Sequence, residues 1–155
     1  MKKAFLFLIQ TVILVVLLTG CVVDSKNLQV SILTDQGEHD FVVQVAESFD
    51  ERLRGLQQVT DLSDNEGMWF VFDEPKVLSF WMKDTLIPLD IIFVNEDFEV
   101  INVAHKAEPC TESDPEQLNC ESYFSDNPAQ YVLEIKGGLA SELGIVAGDK
   151  ITLTK

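Results

Sequence analysis

From Leu28 to Thr154 the chain is cut into short apolar runs, each closed within about eight residues by Gly, Pro, Asp or Asn; such punctuation selects a fold of short strands. Leu28–Thr34 and Phe41–Ala46 read as two strands joined by the turn-rich Asp35-Gln36-Gly37-Glu38. Phe41, Val43 and Val45 alternate, which puts them on one face. Gly67–Phe72 and Val77–Met82 are further strands around an Asp73-Glu74-Pro75 turn. After the connection Lys83–Pro88, Leu89–Asn95 and Glu99–Ala104 form an expected hairpin across Glu96-Asp97-Phe98. Glu108–Pro128 reads as a long acidic loop, and Tyr131–Lys136 and Lys150–Thr154 as the last strands.

Two places break this rhythm. Ser48 stands three residues before Glu51, a capping-box signature, and Phe49, Leu53 and Leu56 follow at helical spacing. A helix is expected over 49–58, with Arg52 and Arg54 off its apolar stripe. A second short helix is expected over 139–143, between Gly137-Gly138 and Gly144. The predicted fold class is therefore mainly β (α+β): a compact, mostly antiparallel β-barrel or sandwich-like domain with two short helices.

The N-terminus carries a different signal. Lys2 and Lys3 precede an apolar stretch from Ala4 to Leu18, which ends in Leu18-Thr19-Gly20-Cys21. A basic start, an apolar middle and small residues at the cut describe a secretory signal. The tetrad resembles the bacterial lipobox, in which a diacylglycerol joins the cysteine and the chain is cut before it. Ala4 to Val23 is also long enough to cross a bilayer as an uncleaved helix, but Gln10 sits mid-span and the signal grammar is complete. The expected organisation is a signal peptide over 1–20, a tether over 21–27 and one domain over 28–155. The chain is thus expected to be an exported lipoprotein, membrane-anchored at the cell envelope through lipid on Cys21. In a two-membrane envelope, Val22 lacks the aspartate that resembles an inner-membrane retention signal.

Removing residues 1–20 leaves 135 of the 155 residues and takes away two lysines, so the formal charge moves from −15 to −17. That balance argues against nucleic acid as a partner and against lying flat on anionic lipid. With Cys21 assigned to lipid, Cys110 and Cys120 remain in one loop, and an exported compartment permits a disulfide between them. Metal ligation or redox work fits less well, because there is no Cys-x-x-Cys and the only nearby histidine is His105. Glu112, Asp114, Glu116 and Glu121 lack the spaced pattern of a calcium loop.

Several segments together resemble one family: Arg54-Gly55-Leu56, Gly67-Met68-Trp69-Phe70-Val71-Phe72, Phe80-Trp81-Met82-Lys83-Asp84-Thr85, Ile87-Pro88-Leu89-Asp90-Ile91-Ile92-Phe93 and Tyr131-Val132-Leu133-Glu134-Ile135, followed by Gly138, Gly144 and Gly148-Asp149. These resemble the family known as domain of unknown function 192, over a stretch from about Val30 to the end. The resemblance implies no established reaction. The chain departs from the family's pattern at Gln57, usually methionine, at Val59, often arginine, and at Asp97-Phe98, more usually Asp-Gly.

The best candidate binding site is the segment 81–90 with Arg54: Trp81 and Met82 offer apolar surface, and Lys83, Asp84, Thr85 and Asp90 supply polar groups. Each residue also has a plainer role open to it. Trp81 and Met82 fit a core, Asp84-Thr85 a turn, and Asp90 an ion pair with Arg54. His39 is expected in a turn and His105 at a strand end. No nucleophile elbow, zinc helix or phosphate loop occurs, and no cofactor is implied. The leading expectation is a non-enzymatic envelope domain that binds a small molecule or an envelope component. A hydrolase using Asp84 and Asp90, and a protein-protein assembly module, are the alternatives.

Overall fold

The computed structural model describes residues 27–110 and 120–154. The segment read as a signal peptide, Cys21 and residues 111–119 of the acidic loop lie outside the described residues. Nine strands and two helices are present among them: β1 (Asn27–Thr34), β2 (Gly37–Ala46), α1 (Phe49–Arg54), β3 (Glu66–Lys76), β4 (Ser79–Trp81), β5 (Leu89–Val94), β6 (Val100–Ala107), β7 (Ser122–Phe124), β8 (Ala129–Lys136), α2 (Leu139–Glu142) and β9 (Lys150–Thr154). Seven strands form one sheet in the order β6-β5-β8-β3-β2-β1-β9, and β4 pairs with β7 alone. Among the named strands only β2 and β3 run parallel; the others pair antiparallel.

The sheet curls into a half-barrel. Its two edge strands approach at one end, where Glu99 bridges Lys150 and the Ile151 amide donates to the Phe98 carbonyl. The mainly-β, mostly antiparallel expectation therefore holds, with a partly closed curl in place of a sealed barrel.

Both faces of the central strands are buried. Along β5, Ile92 and Val94 point into one core with Trp69, Leu133 and Ile135. Leu89, Ile91 and Phe93 point into a second with Met68, Phe70, Met82 and Val132. A strand covered on both sides needs a continuous apolar run, and Leu89–Val94 has one except for Asp90.

Several local expectations change. The capping box forms, with Ser48 Oγ accepting from the Glu51 amide, but α1 stops at Arg54 because Gly55 turns at φ +48° and ψ −137°. Its apolar stripe does not face a core: Phe49 is 71% exposed and Leu53 52%, while only Leu56 beyond the helix is buried. Arg52 is the residue that grips the body, donating to the Val71 carbonyl at 2.8 Å with its guanidinium 5.0 Å from the Phe72 ring centre.

The expected turn at Asp73-Glu74-Pro75 is instead part of β3, which carries a register irregularity between Val71 and Lys76. Proline is tolerated there because no ladder hydrogen bond needs its missing N–H. β4 is shorter than the expected 77–82 strand, and β7 falls inside the span read as loop. His39 lies within β2, its ring 3.2 Å from Thr34 Oγ1, and the His105 ring is 3.1 Å from Ser141 Oγ. Phe98 adopts the positive φ of +57° that its Asp97-Phe98 turn demands and stacks on Tyr131, with centroids 4.8 Å apart.

Candidate functional site

The expected site residues separate into two groups. Arg54, Trp81, Lys83 and Thr85 line one hollow, together with Gly55, Leu56, Phe70, Phe80 and Glu134. Met82, Asp84 and Asp90 are not in its lining. Met82 is buried in the second core. Asp84 sits in a left-handed turn at φ +56°, a conformation aspartate tolerates; its amide donates to the Cys110 carbonyl at 2.7 Å.

Asp90 is fully buried, and its partners are backbone amides rather than Arg54. Its Oδ1 accepts from Lys106 and Gly138 at 2.7 and 2.9 Å, and its Oδ2 from Ala140 at 2.7 Å. Gly138, the residue that caps α2, carries no side chain to bond the free amides, so Asp90 does this from a neighbouring strand. Its carboxylate is committed to joining β5, β6 and α2. No Asp84–Asp90 acid pair forms in the hollow.

Glu134 is the residue that the sequence reading passed over. It sits in β8, the strand between β3 and β5, opposite Met68 on one side and Ile91 on the other, both buried. Its own exposure is 5%. Its Oε2 has no hydrogen-bond partner. Burial among these apolar neighbours pushes its carboxyl up to about 8, because the charged form loses its hydration without gaining a counter-ion. Glu134 therefore carries a proton at neutral pH and can donate it in a hydrogen bond. The signal for it in the sequence was a single acid inside Tyr131-Val132-Leu133-Glu134-Ile135, at a position whose alternation matches buried Val132.

Aromatic rings build the walls. Phe80 meets Phe70, Phe72 and Phe93 edge-to-face, with centroids 5.0, 6.3 and 5.9 Å apart. Trp81 is half exposed, and Lys83 Nζ lies 5.9 Å from its ring centre. The hollow over Glu134 holds about 30 Å³, room for one or two water-sized groups. It opens beside a wider groove of about 280 Å³ lined by Phe49, Arg52, Leu53, Phe72, Lys76, Ser79, Phe80 and Trp81. Both arginines of the chain and two of its lysines line these two connected spaces.

The Cys110–Cys120 disulfide forms, with Cα atoms 5.7 Å apart. It holds this wall together from behind. Cys110 bridges both Lys83 and Thr85, and Cys120 leads within two residues to β7, which pairs with the Trp81 strand. Of the four loop acids that lack a calcium-loop pattern, Glu112, Asp114 and Glu116 lie outside the described residues, and Glu121 is exposed. No helix among the described residues is long and apolar enough to cross a membrane.

Comparison with known proteins agrees with the motif resemblance. No curated protein matches the chain. A protein of unknown function from Novosphingobium aromaticivorans DSM 12444 has a similar crystal structure, with a TM-score of 0.73, 40% identity, 80% of this chain covered and 83% of that one. The crystal structure of a proposed transcription regulator from Sinorhizobium meliloti 1021 is similar at a TM-score of 0.73 and 30% identity, covering 81% of this chain and 92% of that one. Residues 31–153 match the profile of the family of domain of unknown function 192, described as "Uncharacterized ACR". By its motifs, its matched span and its solved relatives, the chain belongs to this family.

Proposed function

We propose that the chain is a lipid-anchored envelope domain that binds a small molecule over Glu134. The observation that carries this reading is a buried carboxyl with an unpartnered oxygen at the floor of a hollow. Leaving such a group unpaired costs roughly 1–3 kcal/mol, so a ligand that supplies its partner recovers that cost. The protonated carboxyl donates, and Arg54, Lys83 and Thr85 line the same opening. A ligand with a small acceptor group, above all a carboxylate, suits this arrangement, with an apolar body against Trp81 and Phe80.

The test uses acetate, butanoate and octanoate as probes, with thermal shift and tryptophan fluorescence as readouts. Binding is expected to strengthen with chain length, to survive in Glu134→Gln and to vanish in Glu134→Leu with the fold intact. No response to any probe by either readout, or equal responses in wild type and Glu134→Leu, would overturn the reading. Anchoring is tested separately by intact mass: a mature chain that starts at Cys21 with added acyl mass supports it, and an uncut Met1 terminus overturns it. The regulator description of the Sinorhizobium relative is not carried over, because a net charge of −15 opposes nucleic acid. A hydrolase built on Asp84 and Asp90 has less support, since Asp90 is spent on three backbone amides.

A further inference from the structure

We infer that the face formed by α1, the wider groove and Trp81 rests in the headgroup layer of the membrane that carries the anchor. The inference rests on the proposed attachment at Cys21 and says where the domain sits once attached.

The first support is the position of the tether. Cys21 and Asn27 are six residues apart, which spans at most about 20 Å of extended chain. Asn27 opens β1 and pairs with Gln44 near the end of β2. β2 leads directly into α1, whose first residue, Phe49, is five positions beyond Gln44, at most about 17 Å along the chain. The root of the tether and the wall of the groove therefore lie at the same end of the sheet. A short tether holds that end close to the bilayer.

The second support is the surface itself. Phe49, Leu53 and Trp81 are 71%, 52% and 49% exposed and line a single groove. Large exposed apolar clusters mark interaction sites, and a half-exposed tryptophan suits a membrane-water interface. The groove contains Arg52 and Lys76 and no carboxylate, in a chain of net charge −15. Exposed Glu47, Asp50, Asp73 and Glu74 stand nearby along α1 and β3 and outweigh these two cations, so the docking rests on apolar contact and not on charge. A surface of this kind seats its apolar residues about 5–10 Å into the headgroup boundary. The acidic charge of the rest of the domain keeps the other faces off the lipid.

The experiment uses the full lipidated chain in vesicles of phosphatidylcholine, with and without phosphatidylglycerol, whose acyl chains are plain or brominated. Bromine quenches tryptophan at short range, and the chain has only two tryptophans. Trp69 is buried in the first core and serves as the internal reference. Brominated lipid is expected to quench the Trp81 emission relative to plain lipid, as a tryptophan seated at the interface requires. Trp81→Phe is expected to abolish the quenching, and Phe49→Ser with Leu53→Ser to relieve it while flotation is unchanged. Equal Trp81 fluorescence in plain and brominated vesicles, with the protein floating, overturns the docking and leaves the anchor standing. A chain that fails to float overturns the anchor and the docking with it. Quenching that persists in Phe49→Ser/Leu53→Ser also counts against this face.

Discussion

A methyl group on Gly55 would stand 3.9 Å from Glu134 Oε2 and 3.4 Å from the Phe70 ring. Gly55 is thus both the residue that ends α1 and the roof over the buried carboxyl. Its φ of +48° and ψ of −137° belong to a region that side chains avoid. Gly55→Ala is expected to cost about 1–3 kcal/mol through backbone strain. It also narrows the hollow, so octanoate binding is expected to weaken further than the stability loss explains. Denaturant melts and a probe titration on the same variant separate the two effects.

Glu134 makes stability fall as pH rises. Its carboxyl titrates near 8 in the folded chain against an ordinary value of 4.5, so the folded state holds a proton that the unfolded state has released between these limits. The stabilising contribution is complete below 4.5 and is lost as pH climbs through 8, with a slope approaching 1.4 kcal/mol per pH unit. Over the full window the loss is on the order of 5 kcal/mol. Glu134→Gln is expected to flatten this dependence and to be more stable than wild type at pH 9. Chemical denaturation of both proteins at stepped pH decides it.

The same ionisation places a negative charge beneath the hollow. Carboxylate probes are expected to bind wild type at pH 6 and to lose affinity by about tenfold per pH unit above 8, the limit for one linked proton. Glu134→Gln is expected to remove this fall. A titration series read by thermal shift or fluorescence tests it, and an unchanged affinity at pH 9 in wild type speaks against direct contact with Glu134.

Asp90→Ala leaves three amides without their acceptor, the buried ones of Gly138 and Ala140 and the part-buried one of Lys106. The expected cost is about 3 kcal/mol or more, because each stranded donor pays its own desolvation. Asp90→Asn is expected to cost less: its remaining oxygen serves Lys106 and Gly138, while its amide faces the Ala140 donor. Equilibrium unfolding of both variants gives the order. Hydrogen exchange is expected to localise the early opening to α2.

Removing the disulfide by Cys110→Ser and Cys120→Ser is expected to lower stability by about 3 kcal/mol in the chain-entropy picture of a ring this size. The seven-stranded sheet does not depend on it. The β4–β7 pair does, so amide protection at Ser79–Trp81 is expected to fall while that at Leu89–Val94 is kept. Hydrogen exchange with and without reductant reads this directly.

The parts of the fold that follow local rules were legible in the sequence. The Ser48–Glu51 box, the alternation of Phe41 and Val43, a strand beginning at Leu89 and the pairing of Cys110 with Cys120 all appear as read. Misreadings arose where partners distant in sequence decide the outcome. Phe49 and Leu53 have the helical spacing that was read, but their spacing does not tell whether anything covers them, and both are exposed. Asp90 looked like an ion-pair partner for Arg54 because nothing near it in sequence shows that the Gly138 turn lacks a capping side chain. Glu134 was hidden inside a strand pattern, and only the burial of Met68 and Ile91 beside it makes it unusual. Arg54, Trp81, Lys83 and Thr85 were brought together by motif spacing, and the fold does gather them.

The Cys110–Cys120 bond has one more consequence, for resistance to proteolysis. It closes a covalent ring around residues 111–119. A protease that cuts once anywhere in that ring yields two peptides that remain one molecule. The strands on either side keep their pairing, and the cut product migrates as an intact chain until it is reduced. A single cut within residues 111–119 therefore leaves the domain in one covalent piece.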